Sequence, residues 1–138
     1  MHYIKFIMKN IVFSLIKYLY YFSFTAMIIL YLFPGSLIGY FLYGNLGQQP
    51  NLIANPIGTS INHLLFFSYI TSLAIIVRSK VKNTFNSYKT ILLISGILEI
   101  LHFIVPNRAF ELYDLIANIT GVVIVFSIYR LIRWQKYF

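Results

Sequence analysis

The 138 residues contain no cysteine, one tryptophan and only three acidic side chains. The missing cysteines exclude disulfides, thiolate metal sites and thiol nucleophiles. Charged residues make up 10% of the chain, too few for a soluble surface, since soluble domains average about 25%. No phosphate-binding glycine loop and no nucleophile with its base can be picked out, and the three histidines lack the spacing of a ligand set. The sequence therefore predicts neither cofactor nor metal. What fills the space is apolar: 59% of residues are hydrophobic and the mean hydropathy is +0.78. The length suits a single domain over residues 1–138, with four membrane crossings using most of it. The net charge of +8 would suggest nucleic acid in a soluble chain. Here the basic residues stand at the ends of apolar runs, where they would meet anionic headgroups, so no nucleic-acid partner is expected.

Four apolar runs suit helical spans, at about residues 11–33, 61–77, 90–105 and 115–132. The last three are short, about 17 residues or fewer, and would borrow flanking positions. The basic start and first run also resemble a signal peptide, but the run is long and no small-x-small cleavage site follows. Pro34-Gly35 ends the first run, and residues 36–60 are rich in Gly, Asn, Gln and Pro around an aromatic island at Tyr40, Phe41 and Tyr43. An interfacial loop with a short re-entrant or extra helix is the expectation there. The predicted fold class is an all-α polytopic transmembrane bundle.

Cytoplasmic loops retain Lys and Arg. Four spans place Lys5, Lys9, Lys17, Arg78, Lys80, Lys82, Lys89, Arg130, Arg133 and Lys136 on one side, ten of the eleven basic residues. The chain is thus expected in the cytoplasmic (inner) membrane with both termini in the cytoplasm. The exception is Arg108, in the short outer turn between the third and fourth runs.

All three acids, Glu99, Glu111 and Asp114, fall within sixteen residues around that turn. An ionisable group inside a span costs roughly 2.5–3.5 kcal/mol on insertion scales and is by default a functional candidate. His102 shares a helix face with Glu99, and Asp114, Asn118 and Gly121 make a polar and small stripe on the next run. Glu99 and Asn118 each lie about 8–10 Å below the outer surface by helical rise. Asn62 and His63 bring the second run to the same level. Each residue has a bland reading: a buried lock for Glu99, a packing histidine for His102, helix contact for Asn118 and Gly121. Their convergence on the outer half of the bundle is what singles them out.

The pattern Glu99-x-x-His102-x-x-x-Pro106-x-Arg108-x-x-Glu111-x-x-Asp114-x-x-Ala117-Asn118-x-x-Gly121 resembles the VanZ-like membrane protein signature, and His63-x-x-x-Phe67 resembles its histidine element. This chain departs from the pattern in two places. His102 stands where the family more often has Gln, and Thr59 and Ser60 replace an Asp-Lys pair. The resemblance implies a small bacterial envelope protein, in a family whose namesake is associated with glycopeptide (teicoplanin) resistance and for which no molecular activity carries over.

Two designs suit these residues. In the first, Arg108 clamps the anionic headgroup of a membrane lipid or lipid-linked envelope precursor, while Glu99 and His102 accept or relay a proton. In the second, Arg108 pairs with Asp114 or Glu111 and only ties helix ends together. The first gives a substrate-binding set of His63, Glu99, His102, Arg108, Asp114 and Asn118. The alternatives are a non-catalytic helper subunit with membrane-protein partners and a proton-coupled transporter. Few polar residues continue toward the cytoplasmic side, which weighs against the transporter.

Overall fold

A computed structural model describes residues 2–50 and 58–135. Lys136, counted above among the basic residues, and residues 51–57 of the predicted loop lie outside them. The described residues are helical and hold no strand. In order come α1 (His2–Leu32), α2 (Leu37–Tyr43), α3 (Gly58–Arg78), a 3₁₀ turn (Thr84–Asn86), α4 (Tyr88–Leu101) and α5 (Leu112–Gln135). Three stretches, Phe6–Leu32, Ser60–Arg78 and Leu112–Gln135, are long and apolar enough to cross a membrane. α4 has 14 residues, about 21 Å of helix at 1.5 Å per residue. Tighter bonds carry its path onward: His102 N–H donates to Glu99 O, Phe103 N–H to Ile100 O and Ile104 N–H to Leu101 O. Leu15, Phe22, Ile104 and Leu131 are among many large apolar side chains facing outward, a surface that lipid tails solvate and water does not. The protein is an all-helical membrane protein.

Each helix ends for a local reason. Pro34 cannot continue α1, and Gly35 takes φ +86°, which a side chain would resist. Ser36 then caps α2, its Oγ accepting from Gly39 N–H at 2.9 Å, as N-cap serines do. Between α3 and α4, Asn86 organises the basic connector: its Nδ2 donates to Val81 O at 2.6 Å and its Oδ1 accepts from Asn83 N–H at 3.0 Å. Tyr20 of α1 reaches the same connector, donating to Phe85 O at 2.6 Å.

The core joins Tyr20, Phe24 and Met27 of α1 to Phe67, Ile70 and Val77 of α3, Ile91 and Leu98 of α4, and Val122 of α5. The most extensive contact is between α3 and α5, and Gly121 stands where the two backbones approach closely. A Cβ there would come 2.5 Å from Leu64 O and 3.1 Å from Ser68 N, both backbone atoms of α3. Gly121→Ala must therefore push the helices apart, and we expect a loss of about 1–3 kcal/mol, the usual cost of overpacking. Gly96→Ala is the matched control. A Cβ there meets nothing within 4 Å, so helix propensity alone should act and leave stability equal or slightly higher. Denaturant unfolding of the purified variants, followed by circular dichroism, separates the two.

Candidate functional site

The start of α3, the end of α4 and the start of α5 meet because the α4–α5 hairpin is short and antiparallel. Glu99 and Asn118 are both fully buried, and Asn118 Nδ2 lies 3.5 Å from Glu99 Oε2 and 3.4 Å from Ser95 O. Glu99 Oε1 has two donors on its other side, His102 Nδ1 at 3.2 Å and Glu111 N–H at 3.2 Å. Asp114 accepts from Ser60 Oγ at 2.5 Å through Oδ1 and turns Oδ2 toward His63 Nε2, 3.4 Å away. His63 Nδ1 is 3.9 Å from Glu99 Oε2. The imidazole of α3 thus stands between a carboxylate of α4 and a carboxylate of α5.

Tyr31 of α1 joins the group from above. Its hydroxyl donates to Asn118 Oδ1 at 2.9 Å and lies 2.8 Å from His63 Nδ1. The ring stacks on His102 at 5.6 Å between centroids, and Tyr31 O meets His102 Nε2 at 3.1 Å. These contacts assign protons. Asn118 Nδ2 faces two acceptors, so its Oδ1 faces Tyr31 and His63. The tyrosine's single proton goes to Asn118, so its lone pair accepts from His63 Nδ1–H. Nε2 is then the nitrogen that looks at Asp114, and two lone pairs cannot share that 3.4 Å gap without a proton or a cation between them.

Arg108 does not pair with Asp114 or Glu111. Its Nε donates to Phe33 O at 3.3 Å and its Nη2 to Leu30 O at 2.9 Å, carbonyls at and just past the end of α1, where helices leave acceptors in need of partners. The guanidinium offers five N–H groups in a planar fork. Its side-on edge is used here, and the end-on edge through Nη1 makes no hydrogen bond among the described residues. Burial lowers the Arg108 pKa, opposed by Tyr31 and Glu99, yet arginine stays charged in proteins. Burial raises the Glu111 pKa, helped by Asp114 and Glu99, so this carboxyl takes up a proton above the ordinary glutamate range.

A cavity of about 160 Å³ lies against this network. Tyr31, His63, His102, Arg108 and Asn62 line it together with Ser36, Leu37 and Gln49. Asn62 donates to Pro50 O at 2.6 Å, while its Oδ1 is buried with no hydrogen-bond partner among the described residues. Of the residues singled out in the sequence, His63, Glu99, His102, Asp114 and Asn118 form one network, and Arg108 and Asn62 border its cavity. Glu111 contributes its backbone N–H rather than its exposed side chain, and Gly121 serves helix packing. Sequence reasoning missed Tyr31 and the roles of Ser60 and Ser36. The signal for Tyr31 was a phenol near the end of an apolar run, because a buried tyrosine hydroxyl needs a partner.

A family model described as VanZ/LLP1 matches residues 2–133. No curated protein and no solved structure matches the chain.

Proposed function

The chain belongs to the VanZ/LLP1 family, and from that premise we propose that its cavity binds the anionic headgroup of a membrane lipid or lipid-linked envelope precursor on the outer side of the cytoplasmic membrane. The observation that carries this reading is the lining: the Arg108 guanidinium and two imidazoles face one small cavity beside exposed apolar helix surface. A headgroup would enter the cavity while its tails stay in lipid. The end-on edge of Arg108 takes phosphate oxygens, and Asn62 Oδ1 accepts from a hydroxyl or amine of the ligand. Glu99 and His102 lie behind it, the carboxylate as proton acceptor and the imidazole, whose nitrogens face Glu99 Oε1 and Tyr31 O, as relay. In cells the expected consequence is a change in glycopeptide sensitivity.

Two hydroxyls support a pocket over a transmembrane path. Thr71 and Ser95 are buried on the inner side of Glu99, yet each bonds a carbonyl of its own helix, Phe67 O at 2.7 Å and Leu92 O at 2.7 Å. That is how isolated hydroxyls are absorbed in a helix.

Arg108→Lys tests the reading. Lysine keeps the charge but not the fork, so retention of anionic lipid, measured by native mass spectrometry of the detergent-extracted protein, should fall about tenfold, roughly 1.4 kcal/mol. Equal retention by parent and variant, or a bound species with no anionic group, rejects the headgroup assignment.

A further inference from the structure

We infer that His63, Glu99 and Asp114 bind one divalent transition-metal ion, of the Zn²⁺ or Mn²⁺ kind. One donor atom from each lies within 4.8 Å of the other two, and the three come from three different helices. A tetrahedral ion with ligands about 2.0–2.2 Å away holds its donor atoms about 3.3–3.6 Å apart. The His63 Nε2–Asp114 Oδ2 separation of 3.4 Å already has that value, whereas the 3.9 Å approach of Glu99 Oε2 is to the other ring nitrogen, Nδ1. Closing the set on Nε2 therefore takes a shift of the Glu99 carboxylate toward that nitrogen, within a group whose donor atoms lie within 4.8 Å of one another.

The surrounding bonds are those a ligand set needs. Each carboxylate has one oxygen held from behind: Glu99 Oε1 by His102 and the Glu111 N–H, Asp114 Oδ1 by Ser60. The other oxygen of each, Oε2 and Oδ2, is turned toward the imidazole. His63 gives its Nδ1 proton to Tyr31 and Asn118, leaving Nε2 to coordinate. Metal-bound histidines characteristically have the second ring nitrogen tied down in this way, and metal-bound carboxylates their second oxygen. Charge points in the same direction, since Glu99 and Asp114 are buried and Arg108 spends its contacts on α1 carbonyls. An imidazole with two carboxylates favours a transition ion over Mg²⁺ or Ca²⁺, which prefer all-oxygen shells. His63 also lines the adjoining cavity, from which a water or a ligand oxygen would come as the fourth donor.

The inference does not depend on the headgroup reading, because ion binding is measured without lipid. The full chain in nanodiscs, stripped with a chelator and titrated with ZnCl₂ or MnCl₂ alone, should take up one ion per chain with MgCl₂ a poor competitor. Asp114→Asn and Glu99→Gln should each weaken uptake at least tenfold. His2→Ala should leave it unchanged, since the inferred ligand set does not include His2. Should either variant fail to fold, X-ray absorption of the zinc-loaded parent decides: one imidazole among oxygen ligands supports the site, and two or more imidazoles overturn it. No uptake by the folded parent, or undiminished uptake by both folded variants, overturns it as well.

Discussion

Glu99→Ala should lower the free energy of unfolding by about 3–5 kcal/mol, the cost of removing one partner from a buried charged pair. Three donors converge on this side chain, His102 Nδ1, Glu111 N–H and Asn118 Nδ2, and alanine leaves all three facing a void. Glu99→Gln should cost less, about 1–3 kcal/mol. Its amide oxygen can accept from His102 and Glu111, but its nitrogen must then face the Asn118 amide nitrogen, donor against donor. Stability should therefore fall in the order Glu, Gln, Ala, read from denaturant unfolding of the purified variants. The glutamine variant separates the two designs set out for these residues. If the cluster handles a ligand, this protein accumulates in membranes and stays folded but loses lipid retention and its envelope phenotype. If the cluster only locks helices, retention falls no further than the unfolded fraction predicts. An alanine variant as stable as the parent would mean that the network contributes nothing to holding the bundle together.

The helices were legible because apolar runs, Pro34-Gly35 and the clustering of basic residues are local signals. So was the membership of Glu99, His102, Asp114 and Asn118 in one cluster: the spacing fixes their helix faces, and the short turn makes α4 and α5 antiparallel neighbours. Partners that come from far along the chain were not legible. Tyr31 lies 32 residues from His63 and 87 from Asn118, and only its place near the end of an apolar run sets it apart from Tyr20 or Tyr21. Arg108 was expected to clamp a headgroup or, in the second design, to pair with Asp114 or Glu111; its bonds to carbonyls 75 and 78 residues earlier belong to neither reading, because they come from far along the chain. The histidines were read as lacking ligand spacing, a test that sees ligands on one segment and misses a set drawn from α3, α4 and α5. Ser60 stands where the family more often has a charged residue. Its bond to Asp114 depends on how deeply α3 overlaps α5, which Gly121 sets through packing that no periodicity reveals.

Membrane orientation should give the sharpest result, an all-or-none labelling pattern in intact cells. If α1, α3, α4 and α5 all cross, the Arg78–Lys89 connector and the basic end of α5 share the cytoplasmic side with the start of α1. Arg108 alone would then lie opposite, in the α4–α5 connection, where its bonds to Leu30 O and Phe33 O hold the charge. The chain has no cysteine of its own, so single cysteines report without background. Ser79 is exposed in the basic connector and Ala109 is exposed in the α4–α5 connection. Asn107 is a poorer choice because its φ of +57° is a conformation that asparagine tolerates better than cysteine. Ser79→Cys should resist an impermeant maleimide until the cells are opened, and Ala109→Cys should react at once. The reverse pattern would place the cavity on the cytoplasmic face and remove the outer-leaflet headgroup as its ligand. Labelling of both positions in intact cells would mean that α4, with its 14 residues, does not carry the chain across.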